Sequence, residues 1–450
     1  MMRRIFLVFA VFLVASPIWP QSGGYKEPDD DKPVQRYANM PDEAVPYRRF
    51  TKPYYDWFIR TDTLAYYGAA ERRPDGDASK LSEVAIGFLA PIENNPESIF
   101  GVPELHGAQL ALEEANARGG FHGKPYALKV HNESALWGAS STELVKMLFN
   151  ENCWAMLGCV DGQNCHIALR ESLKLEVPIV DVGTTDRTVT ETRIPWLIHN
   201  FPDDRQQGYT LADYVFKTLK LKRIAVIRTQ TRYARIGVGE FNDEARRMGR
   251  QPILEVKFER GDKDFSNEIR MLRNAKLEGV VIWGEAPEAG LIVRQMREMG
   301  MKQPVFGSSR IAYPDFLQIA GAAAEGAVLT SALDPTRQDP KWLAFRDAYR
   351  KRFHEEPVDY SAYAYDGMKI LTSAIEKAGL NRGRIMAALR NYQMKTYEGA
   401  AGKAFFDYTL NNISPVTMAR VKNGKFEYWL APRQGGHEGA ESTQGGRGGQ

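Results

Sequence analysis

The sequence predicts an α/β protein in two lobes, each a parallel sheet flanked by helices. Two observations carry this. From Leu81 onward, apolar runs of strand length such as VAIGFL, VPIVDV, RIAVIRT and GVVIWG alternate with amphipathic runs of helix length such as HIALRESLK and FSNEIRMLRN. Strands that read as near-continuous apolar runs are buried on both faces, which parallel sheets covered by helices require. Such strands also outnumber what one small domain holds, and a fresh unit opens after NFPDDRQQGYT, near residues 200–210. The 450 residues agree with more than one domain at a rough prior of ~150 residues each.

Residues 1–20 are expected to be a cleaved signal peptide, with Arg3 and Arg4 ahead of the apolar core IFLVFAVFLV, which is too short for a mature membrane anchor. The short basic start and very apolar core favour the general secretory route over a twin-arginine one. Export to the periplasm follows, with no stable membrane insertion. No cysteine succeeds the core to take a lipid. Residues 21–82 form an arm rich in Pro, Asp, Arg and Tyr, whose composition predicts irregular chain. Its middle, PYRRFTKPYYDWFIRTDTLAYYG, is too aromatic for a plain linker and reads as a clamp on the protein body or a docking site for a partner.

The central unit spans Val84–Asn132. VAIGFLAP is a buried strand closed by Pro91; Ala108, Ala111, Leu112 and Ala115 recur on one face of a following helix, and Gly119-Gly120 supplies a left-handed stop. KPYALKVHN restarts a strand, giving one βαβ unit. Further strands are expected at YALKV, WAMLG, ILEVKF, PVFGS and GAVLTS, with helices at STELVKMLFN, GYTLADYVFKTL, FNDEARRMG and EAGLIVRQMREMG. The tail 431–450 is Gly-rich and expected to be disordered.

Composition and motifs exclude several functions. A net charge of +3 without a long Lys/Arg run gives no nucleic-acid stripe, and no heptad pattern argues against a monomer. Cys153, Cys159 and Cys165 stand six residues apart, which fits no zinc pattern; one pair could form a disulfide, and spacing does not say which. The seven histidines are scattered, and neither GxSxG, GxxxxGK nor a strand-following GxGxxG occurs. No enzyme and no cofactor is indicated.

Strand-to-helix loops remain, and in open α/β sheets ligands bind there. CVDGQNCH offers Asp161, Gly162, Gln163 and Asn164; GTTD offers Gly183, Thr184 and Thr185; ENNPESIFG is the third. The plainer reading of the Asp, Asn and Thr residues is helix capping.

VAIGFLAP, EEANARGG, HGKPYALKV, DDRQQG at 203–208, DKDFS at 262–266, PEAGLIVRQMREMG at 287–300 and YAYDG at 363–367, in this order, resemble the type I periplasmic solute-binding proteins, the branch containing leucine/isoleucine/valine-binding proteins of ABC transporters. The resemblance spans about Glu83 to Trp429. It implies a first lobe from 83–201 and 334–400 and a second from 202–333 and 401–430, joined by a three-stranded hinge near Phe201–Asp204, Thr330–Pro335 and Gly399–Lys403. It also places the three loops around the ligand, adds Phe100 and Tyr233 as aromatic lining, and adds Glu285, Ser309 and Arg310 from the second lobe. Relatives that bind amino acids carry an acid where this chain has Ser309, and serine hydroxyls where it has Asp161. Leucine is therefore expected to bind weakly, and the ligand to present a carboxylate or amide to Arg310. The implied role is capture of a small polar ligand for an ABC importer, whose permease is the partner. The alternatives are a sensory ligand-binding protein and an accessory protein of a periplasmic oxidoreductase.

Overall fold

The computed structural model describes residues 73–430 except 134–136 and 193. The expected signal peptide, nearly all of the aromatic arm and the Gly-rich tail lie outside the described residues. The end of the arm is anchored: Gly76 N donates to Leu380 O at 2.7 Å, Asn381 Nδ2 donates to Arg73 O at 3.0 Å, and Arg384 pairs with Asp75.

The first sheet is built from β1 (Val84–Ala90), β2 (Tyr126–Asn132), β3 (Met156–Gly158), β4 (Ile179–Asp181) and β5 (Leu197–His199), in the order β2-β1-β3-β4-β5 and parallel throughout. Between these strands run α1 (Ser98–Ala117), α2 (Trp137–Val145), α3 (Gly162–Leu175) and the short α4 (Thr188–Glu191). All seven residues of β1 are buried, as its unbroken apolar run requires. The helix after β1 starts at Ser98, earlier than the periodicity of its later turns indicates, and carries Pro103 at its sixth position, where the missing N–H removes one bond of the helical ladder. Its Ala108, Ala111, Leu112 and Ala115 face the core as expected, and Gly119 and Gly120 take φ of 107° and 59° to end it.

The chain then crosses to a second sheet. α5 (Asp204–Ala212) leads into β6 (Ile224–Thr229), α6 (Arg232–Arg247), β7 (Leu254–Phe258), α7 (Ser266–Asn274), β8 (Gly279–Trp283), α8 (Ala286–Glu298), β9 (Val305–Gly307), α9 (Pro314–Ala320) and β10 (Val328–Ser331). It returns as α10 (Pro340–Phe353), α11 (Asp359–Ala378) and α12 (Arg382–Arg390), whose Phe345, Tyr360, Met368 and Ile385 share one core with β1 and α1. β11 (Lys395–Glu398) and β12 (Lys403–Phe406) make a hairpin, and β13 (Thr417–Lys422) and β14 (Lys425–Leu430) complete the second sheet in the order β14-β13-β10-β9-β8-β6-β7. β13 pairs antiparallel with β10 and β14, while β6 to β10 are parallel.

Three passages therefore join the lobes, and the third differs from expectation. Gly399 and Gly402 exchange backbone hydrogen bonds at 2.8 and 3.2 Å in a tight turn, with Asp366 accepting from Ala400 N and Ala401 N at 2.8 Å each. Ala404, Phe406 and Leu410 pack into the first core, so the chain leaves for the second sheet only after that segment.

Candidate functional site

Strands β3 and β4 end beside each other and aim their loops at the second lobe. Across the gap stand the start of α6 and the turn after β9. Together Val160, Asp161, Gly162, Thr184, Thr185, Asp186, Arg232, Tyr233, Ile236 and Arg310 line a narrow cleft. The enclosed space is about 10 Å³, room for roughly one water molecule, so in this arrangement side chains fill most of the space between the lobes.

Arg310 is the centre of the cleft. Its guanidinium reaches out of the second lobe with only 2% of the residue exposed. Nη1 donates to Glu97 Oε1 at 3.1 Å, Nη2 to Val160 O at 3.2 Å and Nε to the Tyr360 hydroxyl at 3.1 Å, all first-lobe acceptors. The ring of Phe100 lies 4.7 Å from the guanidinium carbon and that of Tyr233 4.2 Å, so the cation is held between two aromatic faces. Arg260 Nη2 donates to Glu97 Oε1 and Glu285 Oε1, both at 2.7 Å. Burial works against ionisation of Glu97, yet Arg310 and Arg260 together hold its carboxyl below the ordinary range.

The sequence-predicted residues divide. Asp161, Gly162, Thr184, Thr185, Tyr233 and Arg310 line the cleft. Phe100, buried in the first turn of α1, stacks on Tyr360 with ring centroids 4.8 Å apart and reaches the cleft through Arg310. Glu285 lies 3.8 Å from Arg310 Nη1 but bonds Arg260, and its Oε2 has no partner. Ser309 turns its backbone N to Gln207 Oε1 at 3.2 Å. Gln163 is exposed, and Asn164 donates to the buried Glu133 at 2.9 Å, so neither lines the cleft. Gly183 serves packing rather than ligand approach, since a Cβ there would sit 2.7 Å from Cys159 O and 2.8 Å from Glu104 Oε2.

Capping explains part of both loops. Asp161 Oδ1 accepts from Gln163 N at 2.9 Å and Asn164 N at 3.0 Å at the start of α3. Asp181 Oδ1 accepts from Gly183 N at 3.3 Å and Thr184 N at 3.1 Å. Thr185 donates its hydroxyl to Asp204 Oδ2 at 2.9 Å, and Arg232 pairs with Asp186 at 2.7 Å. Burial pushes the Asp161 carboxyl up, and the charge on Glu97 adds to the effect. Asp204, fully buried, is pushed well up by the same cause.

Sequence reasoning missed Glu97, Tyr360, Arg260, Asp186 and Arg232. Glu97 lies inside the loop ENNPESIFG and Arg260 directly precedes the GDKDFS segment, so position pointed near both; no periodicity marks either. The cysteines are free buried thiols. Burial pushes Cys153 and Cys159 up to about 12, which makes them poor nucleophiles. Among the described residues no His/Cys/Asp/Glu group can hold a metal ion, and no helix is long and apolar enough to cross a membrane.

The family model described as periplasmic binding protein matches residues 83–425. Leu/Ile/Val-binding protein homolog 2 of Brucella abortus is 27% identical over 359 residues, covering 78% of this chain and 94% of the relative. The amino acid binding protein of Pseudomonas aeruginosa is 26% identical over 303 residues, covering 67% and 80%. Among solved structures, the branched-chain amino acid transporter substrate binding protein LivJ from Streptococcus pneumoniae, in complex with isoleucine, is similar with a TM-score of 0.70 and 26% identity, covering 77% of this chain and 99% of that one. The solute binding protein from R. palustris in complex with benzoate has the same fold, with a TM-score of 0.70 at 14% identity, covering 79% and 98%. Two largely parallel sheets with a cleft between their strand ends, and a family match over most of the chain, lead to one conclusion: this chain belongs to the periplasmic binding protein family, a substrate-binding and non-enzymatic family, and has its two-lobed type I fold.

Proposed function

We propose that the chain is an exported, monomeric solute-binding protein that captures a small polar molecule between its lobes and delivers it to an ABC importer. The observation that carries this reading is a small cleft lined by loops of both lobes, with Asp161 and Thr185 on one side and Tyr233 and Arg310 on the other. A molecule touching both sides gains contacts only when the lobes are together, and so favours the closed form. The names of the relatives, amino acid binding protein and branched-chain amino acid transporter substrate binding protein, support import as the purpose. The same reading makes the protein a carrier and not an enzyme.

Mass spectrometry of the protein purified from the periplasm under native conditions tests it. One small molecule per chain is expected, in a particle whose light-scattering mass is that of a single chain. A protein that is always empty, and whose melting temperature no amino acid, amine, amide or organic acid moves, would rule out solute capture.

A further inference from the structure

The donors and acceptors around the cleft are unequal. Anion-binding sites in α/β folds use the amides at helix N-termini and loop turns. Here the chain has filled both such places with its own carboxylates. The amides of Gln163 and Asn164 are taken by Asp161, and those of Gly183 and Thr184 by Asp181. The cationic side chains are taken too: Arg232 by Asp186, and Arg310 and Arg260 by Glu97.

Acceptors, by contrast, are in surplus. Around the cleft the acidic groups Glu97, Asp161, Asp186, Asp204 and Glu285 meet Arg232, Arg260 and Arg310, with His166 Nε2 3.8 Å from Asp186 and burial keeping a proton on Asp204. Among the described residues Asp161 has only backbone amides as hydrogen-bond partners, and Asp204 Oδ1 has none. Tyr233 lines the cleft, and its buried hydroxyl has only the Ser308 side chain near it as a polar neighbour among the described residues. The guanidinium of Arg310 between Phe100 and Tyr233 shows that these aromatic faces receive a cation.

We infer that the ligand is a small organic cation without a carboxylate, an amine in the simplest case, and that Asp161 is the residue that selects it. The inference rests on the solute-binding reading above. It replaces the expectation of a carboxylate facing Arg310, whose three nitrogens each already donate to the protein. An incoming ammonium brings donors to Asp161 and the Tyr233 hydroxyl. An incoming carboxylate meets Asp161 as a like charge and finds the loop amides occupied.

Four probes that share an isobutyl group separate the charges: leucine, leucinamide, 3-methylbutylamine and 4-methylpentanoate, titrated calorimetrically into the mature chain at neutral pH. Leucinamide and 3-methylbutylamine are expected to bind at least about tenfold tighter than leucine, with 4-methylpentanoate weakest. Asp161→Asn keeps a good helix cap and removes the charge. That variant should lose the preference for cations by about tenfold while its melting temperature without ligand stays close to that of the parent. Leucine or 4-methylpentanoate binding tightest would overturn the inference and leave solute capture standing. An unchanged preference in Asp161→Asn would overturn the role of Asp161. If none of the four binds, the inference fails, and the native mass spectrum decides separately whether solute capture fails with it.

Discussion

Arg310 presents the energetics of a buried charge whose partners lie across a gap. Removing one member of a buried pair leaves the other desolvated and uncompensated, which costs about 3–5 kcal/mol. Arg310→Met should therefore destabilise the protein by about 3 kcal/mol, read as a lowered urea midpoint, with Arg260 left to neutralise Glu97 in part. Arg260, a quarter exposed at its side chain, should cost less when changed to Ala, about 1 kcal/mol. Equal costs for the two would mean that burial is not what distinguishes them. A second residue-scale prediction concerns protons. His199 Nε2 faces Thr184 O at 2.8 Å and its Nδ1 faces Asn411 Oδ1 at 2.5 Å, while Asn411 Nδ2 donates to Asp203, which fixes the amide's direction. With an acceptor on each nitrogen the ring is an imidazolium: burial works against the charge, but Asp181 and these acceptors raise its pKa. Glu104, Glu133 and Asp204 are pushed up by burial and so hold protons that the unfolded chain releases above the ordinary carboxylate range. For every one of these groups the native state binds more protons, so stability falls as pH rises, first above the ordinary carboxylate values and then, for His199, above about 6.5. Urea denaturation should show the protein more stable at pH 5 than at pH 8, with a slope of up to about 1.4 kcal/mol per pH unit for each extra proton. A midpoint that climbs toward pH 8 would contradict the assignment. Little of this was readable from sequence, because Glu104 and His199 become unusual only through what the fold packs around them.

At the scale of elements, the close contact of α1 with α11 depends on a missing side chain. A Cβ on Gly107 would lie 2.0 Å from Ser361 O, a backbone atom that cannot move aside alone. Gly107→Ala should destabilise by about 2 kcal/mol through overpacking. Gly239, inside α6, has nothing within 4 Å of its Cβ position, so Gly239→Ala should be neutral or stabilise by up to about 1 kcal/mol. Thermal melts of the two variants test the packing directly, and a neutral Gly107→Ala would show that the helices stand further apart. Elements of this kind also show what sequence reveals. β1, β6 and β8 were legible because each carries at least four apolar residues in close succession and is buried along its whole length. β5 is three residues, Leu197–His199, too short for any period to appear. β14 has only intermediate or exposed residues, and β11 is nearly all exposed, so their edge positions gave no apolar run to find. The start of α1 was hidden by Asn94 to Pro96 and Pro103, which read as loop although the helix begins at Ser98. The site was half legible for a related reason: loops after strands are predictable places, whereas Glu97, Arg260 and Tyr360 enter it by reach across the lobes.

For the whole molecule, side chains of the two lobes pair across the cleft. Arg310 and Arg260 both reach Glu97, Arg232 reaches Asp186, and Arg187 of the first lobe reaches Glu240 of the second. Arg187, Arg232 and Arg260 are each roughly a quarter exposed at the side chain, so their pairs contribute modestly and weaken with salt, while Arg310 is buried. Opening the lobes would return three of these pairs to water at small cost but would strip Arg310 of Glu97, Val160, Tyr360 and the ring of Phe100 together. The closed arrangement therefore depends on Arg310 more than on the other three arginines. A change in the closure equilibrium of about 1.4 kcal/mol shifts the populations tenfold, and the loss of Arg310 exceeds that. Small-angle scattering of ligand-free Arg310→Ala should show a larger radius of gyration than the parent, whereas Arg187→Ala should leave it nearly unchanged at low salt. If Arg310→Ala keeps the parent's radius, the lobes are held by their three chain passages and not by the arginine between them.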